Sequence, residues 1–190
     1  MSIPPRTFYF LRHGQTDWNV EGRLQGHTDI PLNATGIAQA HSAAIRLTKE
    51  PITRIISSPL VRALKTAAIT AESIKLPVHI DSQLMERTFG SLEGRLTTQV
   101  KAEHGLSAEQ SITLALPGDA EQWPQTLQRA RSSISYWLNQ YPADTLLFVG
   151  HGAFFRAMYE VLTETLHEAH NATPYLFTPT ASGGWNMREV

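Results

Sequence analysis

The sequence contains no cysteine, which excludes disulfides, thiolate metal sites and cysteine nucleophiles and leaves serine, histidine and carboxylate chemistry open. It also lacks any excess of charge. In 190 residues, 16 Lys+Arg stand against 17 Asp+Glu, with no basic block and no acidic tail. That balance suits neither a nucleic acid nor an anionic membrane as a partner, so any anion recognition has to be local. No stretch reaches the roughly 18 consecutive apolar residues needed to span a bilayer, and the segment Met1–Arg6 lacks the apolar core of a secretory signal. The expectation is a cytoplasmic protein. There is no internal repeat, low-complexity tract or interdomain linker, and the length suits one domain over residues 1–190. Nothing in the chain indicates its oligomeric state.

What is present begins with Phe8-Tyr9-Phe10-Leu11, an apolar aromatic run that reads as a buried strand and ends abruptly in Arg12-His13-Gly14. In open α/β sheets ligands gather at the carboxyl ends of parallel strands, so Arg12 and His13 are candidate site residues. A second strand, Thr145 to Val149, stops in the same way at Gly150-His151-Gly152, and a third, Arg54 to Ser57, stops at Ser57-Ser58-Pro59. A helix follows that third strand to about Ile74, with serine expected at its cap, proline at its first position and Arg62 on its first turn, within reach of the strand ends.

The remaining elements follow the same logic. Asp17 to Thr35 is polar and punctuated by Gly22, Gly26 and Pro31, and is expected to be a long loop over a ligand. Helices are expected over Ala34–Lys49, Thr97–His104, from a capping box at Asp119–Gln122 to Tyr141, and over Ala153–Thr163. Pro77–Ile80 is a further strand, and Tyr175–Phe177 with Gly184–Arg188 suggests a closing hairpin. Residues 95–119 form the expected lid or specificity segment. Alternating strands and helices indicate an α/β fold, a three-layer sandwich with a mainly parallel central sheet flanked by helices.

Arg12-His13-Gly14, continued by Thr16, Asn19, Arg23, Gln25 and Gly26, resembles the signature of the histidine phosphatase superfamily, also called the phosphoglycerate mutase-like family. Ser57–Ala63, Leu84–Gly94 and Gly150–Gly152 match further blocks of that pattern in the expected order. The resemblance implies a phosphoglycerate mutase-like fold and phosphoryl transfer without a metal or cofactor. Such chemistry needs a nucleophile, cations for the phosphoryl oxygens and a proton for the leaving group. His13 is the expected nucleophile, kept neutral by nearby guanidinium groups. Arg12 and Arg62 are the expected phosphate clamp, because the guanidinium fork matches phosphate oxygens.

By the same resemblance His151 stands beside the nucleophile, Glu86 is the acid and base, and Asn19, Gln25 and Gly152 are phosphate or substrate contacts. On the residues alone Glu93 is a rival to Glu86, and either carboxylate could instead pair with Arg87 or Arg95; the family's pattern favours Glu86. The segment Arg87–Gly94 and the short stretch after it look like the phosphatase branch. Hydrolysis of a small phosphomonoester is therefore expected, with a mutase-type transfer or a non-catalytic phosphate-binding module as alternatives. Few cations lie in the lid beyond Lys101 and Arg95, which points away from a highly phosphorylated substrate. His167-Glu168-Ala169-His170 lacks zinc-protease spacing and is expected to be a solvated helix face.

Overall fold

The computed structural model describes residues 3–190; Met1 and Ser2, the start of the Met1–Arg6 stretch, lie outside it. Six strands form one sheet: β1 Phe8–Arg12, β2 Arg54–Ser57, β3 Val78–Ile80, β4 Leu146–Gly150, β5 Pro174–Pro179 and β6 Trp185–Glu189, in the spatial order β3-β2-β4-β1-β5-β6. The first four are mutually parallel, whereas β5 and β6 add the antiparallel hairpin at one edge. The chain leaves a place between β1 and β2 that β4, arriving last of the four, fills.

Strand periodicity assigns the two faces of the sheet. Phe8, Phe10, Ile56, Leu146 and Phe148 point to one side, while Tyr9, Leu11, Ile55, Leu147 and Val149 point to the other. The first set packs on α5 (Trp123–Gln140) and α6 (Gly152–Thr163), and the second on α2 (Ala34–Leu47) and α3 (Val61–Ile74). Both faces are covered, so the central strands read as unbroken apolar runs. Each fully buried phenylalanine contributes about 2–3 kcal/mol of transfer free energy, and Phe8, Phe10 and Phe148 are all fully buried.

Close backbone packing fixes the turn that follows β1. A Cβ at Gly14 would stand 2.3 Å from the Gly36 carbonyl oxygen, and one at Gly36 would stand 2.0 Å from that of Gln15. Only glycine allows this approach, which presses the start of α2 against the end of β1.

Three local readings change. The stretch expected to be an uninterrupted loop after β1 contains α1 (Asp17–Glu21), held by a reciprocal cap between Thr16 and Asn19. Helix α3 starts at Val61, and its cap residue Leu60 has no side chain to donate or accept; Ser58 and Pro59 lie before the helix because Ser58 is engaged elsewhere. Helix α5 opens on a Gln122–Gln125 capping box, since the Asp119 carboxylate instead accepts from the Ser91 N–H at 2.9 Å. The segment after Arg95 carries α4 (Thr97–Glu103) and a short turn of 3₁₀ helix at Ile112–Ala115. These sit on a separate apolar cluster of Leu24, Phe89, Leu92, Val100 and Ala115. Among the described residues no helix is long and apolar enough to cross a membrane.

Candidate active site

The parallel register brings the three strand ends together. Arg12 lies level with Gly150, and Ser57 with Val149. The ladder continues one step further, with the His13 N–H donating to the Gly150 carbonyl and the Ser58 N–H to that of Val149, both at 3.0 Å. As a result the two histidine rings that follow β1 and β4 lie side by side, their centroids 5.2 Å apart.

His13 is almost wholly buried. Its Nδ1 is 2.7 Å from the Gly14 carbonyl oxygen, and a carbonyl can only accept, so Nδ1 carries the proton and Nε2 keeps its lone pair. Thr66 Oγ1 accepts from the Gly14 N–H at 3.1 Å and steadies this turn. Burial pushes the imidazole pKa well below its ordinary value, and the charges of Arg12 and Arg62 push it the same way. The ring is thus neutral at physiological pH.

Two arginines flank it. Arg62, fully buried on the first turn of α3, donates Nη1 to the Thr28 carbonyl at 3.0 Å and Nη2 to that of Gly26 at 2.7 Å. Arg12 donates Nη1 to the Ala169 carbonyl at 2.6 Å. Neither guanidinium is neutralised by an ion pair, and arginine does not deprotonate in proteins. Gly152, the first residue of α6, packs within 3.4 Å of the Arg12 guanidinium when given a Cβ, so the cation lies directly over that helix start.

Glu86 approaches from the 3₁₀ turns after β3. Its Oε1 accepts from the N–H groups of Arg87 and Phe154, and Oε2 from that of Ala153, at 3.0–3.1 Å. The carboxyl group is therefore seated on the amino terminus of α6, taking up N–H groups that have no partner within the helix. Its rival Glu93 is turned away: it accepts from the Thr28 and Thr88 hydroxyls and from the N–H groups of His27, Thr28 and Phe89. Burial would raise its pKa, but these hydrogen bonds outweigh it and hold the carboxyl below its ordinary value. Glu93 ties the loop after α1 to the loop after Glu86. It pairs with neither Arg87 nor Arg95.

Arg12, His13, Asn19, Gln25, Arg62, Glu86 and Gly152 all line one cavity of about 280 Å³. His151 is fully buried beside His13, with Nε2 2.8 Å from Ser58 Oγ. Its pKa is lowered well below the ordinary value by burial, then by Arg62, His13 and Arg12. Asn19 spends its Oδ1 on capping α1, accepting from the Thr16 N–H at 3.1 Å. The buried Gln25 amide has no partner at Oε1.

Several residues that the sequence did not single out complete the wall. Arg87, Arg156 and Glu168 line the same cavity, with Thr97, Ser111 and Thr113 from the segment after Arg95. The cations near the lid thus come from other elements. Arg156 lies four residues after Gly152, on the same face of α6, and this helical spacing was the available signal. The stretch His167–His170 is irregular, not a helix face. There the Ala169 carbonyl takes Arg12, Glu168 pairs with Arg156, and the His167 ring packs against Tyr159. His27, exposed on the loop after α1, places Nε2 2.8 Å from the Glu86 carbonyl oxygen.

Comparison with known proteins identifies the family. The family model of the histidine phosphatase superfamily, branch 1, matches residues 8–182. The chain belongs to the histidine phosphatase superfamily. Among this superfamily's curated members, "Phosphoglycerate mutase-like protein 4" of Arabidopsis thaliana is 33% identical over 79% of this chain and 68% of its own length. "Metal-independent phosphoserine phosphatase" of the same plant is 34% identical over 81% of this chain and 67% of its own length. A solved mycobacterial glucosyl-3-phosphoglycerate phosphatase in complex with VO3 superposes with a TM-score of 0.83 at 28% identity, covering 97% of each chain. Among the described residues no group of three His, Asp or Glu side chains is placed to hold a metal ion.

Proposed function

We propose that this histidine phosphatase superfamily member is a metal-independent phosphomonoesterase that hydrolyses a small phosphorylated metabolite through a phosphohistidine on His13. The observation that carries this reading is where the buried, unpartnered polar atoms lie. Among the described residues eight buried side-chain polar atoms have no hydrogen-bond partner, and six of them cluster here: Nε of Arg12, Arg62, Arg87 and Arg156 and Oε1 of Gln25 on the cavity wall, with Nδ1 of His151 beside His13; the other two, Arg46 Nε and Ser135 Oγ, lie outside the cavity. Elsewhere in folded proteins such groups are paired, and converging cationic donors are what a phosphoryl dianion would satisfy.

In this reading His13 Nε2 attacks phosphorus, the ester P–O bond breaks and Glu86 gives its proton to the departing oxygen. Water then attacks the phosphohistidine, Glu86 takes back a proton, and the P–N electron pair returns to Nε2. The products are the alcohol and inorganic phosphate. Arg12 and Arg62 stabilise the charge on the transferring group in both halves. The structural relatives named for phosphatase activity support hydrolysis over transfer to a second hydroxyl.

The far half of the cavity suggests the rest of the substrate. Arg87 is 2% exposed, with only Nη2 engaged, by the Glu121 carbonyl. Arg156 is already paired with Glu168. The three together carry one net positive charge, which fits a single carboxylate better than a second phosphate. Phosphoserine and 3-phosphoglycerate both carry one phosphomonoester and one carboxylate. Phosphate release from a panel of phosphomonoesters, with His13→Ala as the blank and a chelator present, tests the reaction. Chelator-resistant release that vanishes in the blank is expected, and turnover retained by His13→Ala would refute it. In the same assay Arg87→Met should raise KM for the phosphorylated acids by about tenfold or more and leave an aryl phosphate nearly unchanged.

A further inference from the structure

Ser58 stands at the end of β2, fully buried, and its hydroxyl has two neighbours. The Leu60 N–H donates to Oγ at 3.3 Å, and His151 Nε2 lies 2.8 Å away. Among the described residues no other acceptor is within reach of that hydroxyl. Two proton arrangements are open. If Nε2 carried the proton and donated to Oγ, the serine O–H would be buried without an acceptor, and Nδ1 would present a bare lone pair close to an incoming anion. If the serine donates to Nε2, its O–H is satisfied, Oγ still accepts from Leu60, and Nδ1 carries a proton free to be donated. The second arrangement leaves one unpartnered donor where the first leaves an unpartnered donor and a repelling acceptor.

We infer that Ser58 is a positioning residue of the phosphoryl-transfer site, setting His151 in the Nδ1–H tautomer so that a neutral imidazole donates to the transferring group. Its counterpart is the Gly14 carbonyl, which sets His13 in the same tautomer for the opposite purpose. His13 turns its lone pair at Nε2 toward phosphorus, and His151 turns its proton at Nδ1 toward a phosphoryl oxygen. An accepting partner on one ring and a donating partner on the other thus divide nucleophile from hydrogen-bond donor between two side-by-side histidines. The hydroxyl also accounts for the missing cap on α3, because Ser58 is held back toward β4. The inference deepens the proposed phosphohistidine reaction and rests on it for the role, though not for the tautomer.

The first test is a long-range proton–nitrogen NMR spectrum of the intact protein labelled with nitrogen-15 in histidine, with His151→Gln used to assign the ring. The Nδ1–H pattern is expected for His151 in the wild type, and its loss in Ser58→Ala. An Nε2–H pattern in the wild type, or a tautomer unchanged in Ser58→Ala, would overturn the inference. This readout needs no turnover, so it stands apart from the failure of the phosphatase reading, which His13→Ala decides.

The second test is kinetic. Ser58→Ala should lower kcat by roughly 10- to 100-fold, less than the roughly 100- to 1000-fold loss of a preorganised donor itself because the His151 ring stays in place, with KM changed little. The same substitution should cost almost nothing in the His151→Gln background, because a residue that acts through another is not additive with it. Fully additive losses would show that Ser58 serves only packing.

Discussion

The depressed pKa values of His13 and His151 make the stability of the fold depend on pH with a sign and size that can be measured without any substrate. In the folded chain both rings are held neutral, first by burial and then by the charges of Arg12 and Arg62, with His13 adding to the effect on His151. In the unfolded chain each has an ordinary pKa of about 6.5. As pH falls through that value the unfolded state binds protons that the folded state refuses, so stability present at neutral pH is lost on acidification. Between pH 7.5 and 5.5, a histidine that stays neutral in the fold forfeits about 1.4 kcal/mol, and two forfeit about 2.7 kcal/mol.

Replacing either ring by glutamine removes one share, whatever the substitution does to stability at neutral pH. Urea unfolding of wild type, His13→Gln and His151→Gln at both pH values isolates the term, because every other titrating group cancels in the comparison. With an m-value of roughly 2–3 kcal/mol/M for a chain of this size, the midpoint lost on acidification should be smaller by about 0.6 M in each variant. Identical pH dependence in all three proteins would refute the claim that the fold holds these imidazoles neutral.

Two further outcomes follow from the carboxylates. Glu86→Gln should slow alkyl phosphate hydrolysis by at least about 100-fold while costing aryl phosphates far less, since a good leaving group needs no proton; equal losses in a leaving-group series would mark Glu86 as an anchor for α6 alone. Glu93→Ala should destabilise the chain by about 2 kcal/mol by freeing the N–H and hydroxyl donors of two loops. A urea midpoint unchanged in that variant would show those donors to be fully served by solvent.

The layout of this site explains which parts were legible early. Strand ends at Arg12, Ser57 and Gly150 were visible because buried parallel strands are apolar runs with sharp polar stops, and registry then had no freedom to separate them. Short helices and caps were less legible. Thr16 and Asn19 close α1 within six residues, too few for a periodic signal. At Ser58 a good capping residue was drawn to a buried histidine 93 positions away, a competition that no local pattern displays. Arg156 and Glu168 escaped because one lies in a mostly apolar helix and the other in an irregular segment, and only folding turns both toward the cavity.

By itself the order of residues determined the α/β layers, the neighbourhood of Arg12, His13, Arg62 and His151, and the family, because these depend on apolar periodicity and on short motifs at strand ends. Tertiary structure alone decided the rest. It set Glu86 and Glu93 apart by seating one carboxylate on the start of α6 and spending the other on two loops. It buried His151 and gave it Ser58, and it supplied the outer cations from α6 and from Arg87 beside Glu86. Those choices turn on which partner reaches a buried group first in space, a distance that sequence separation does not encode.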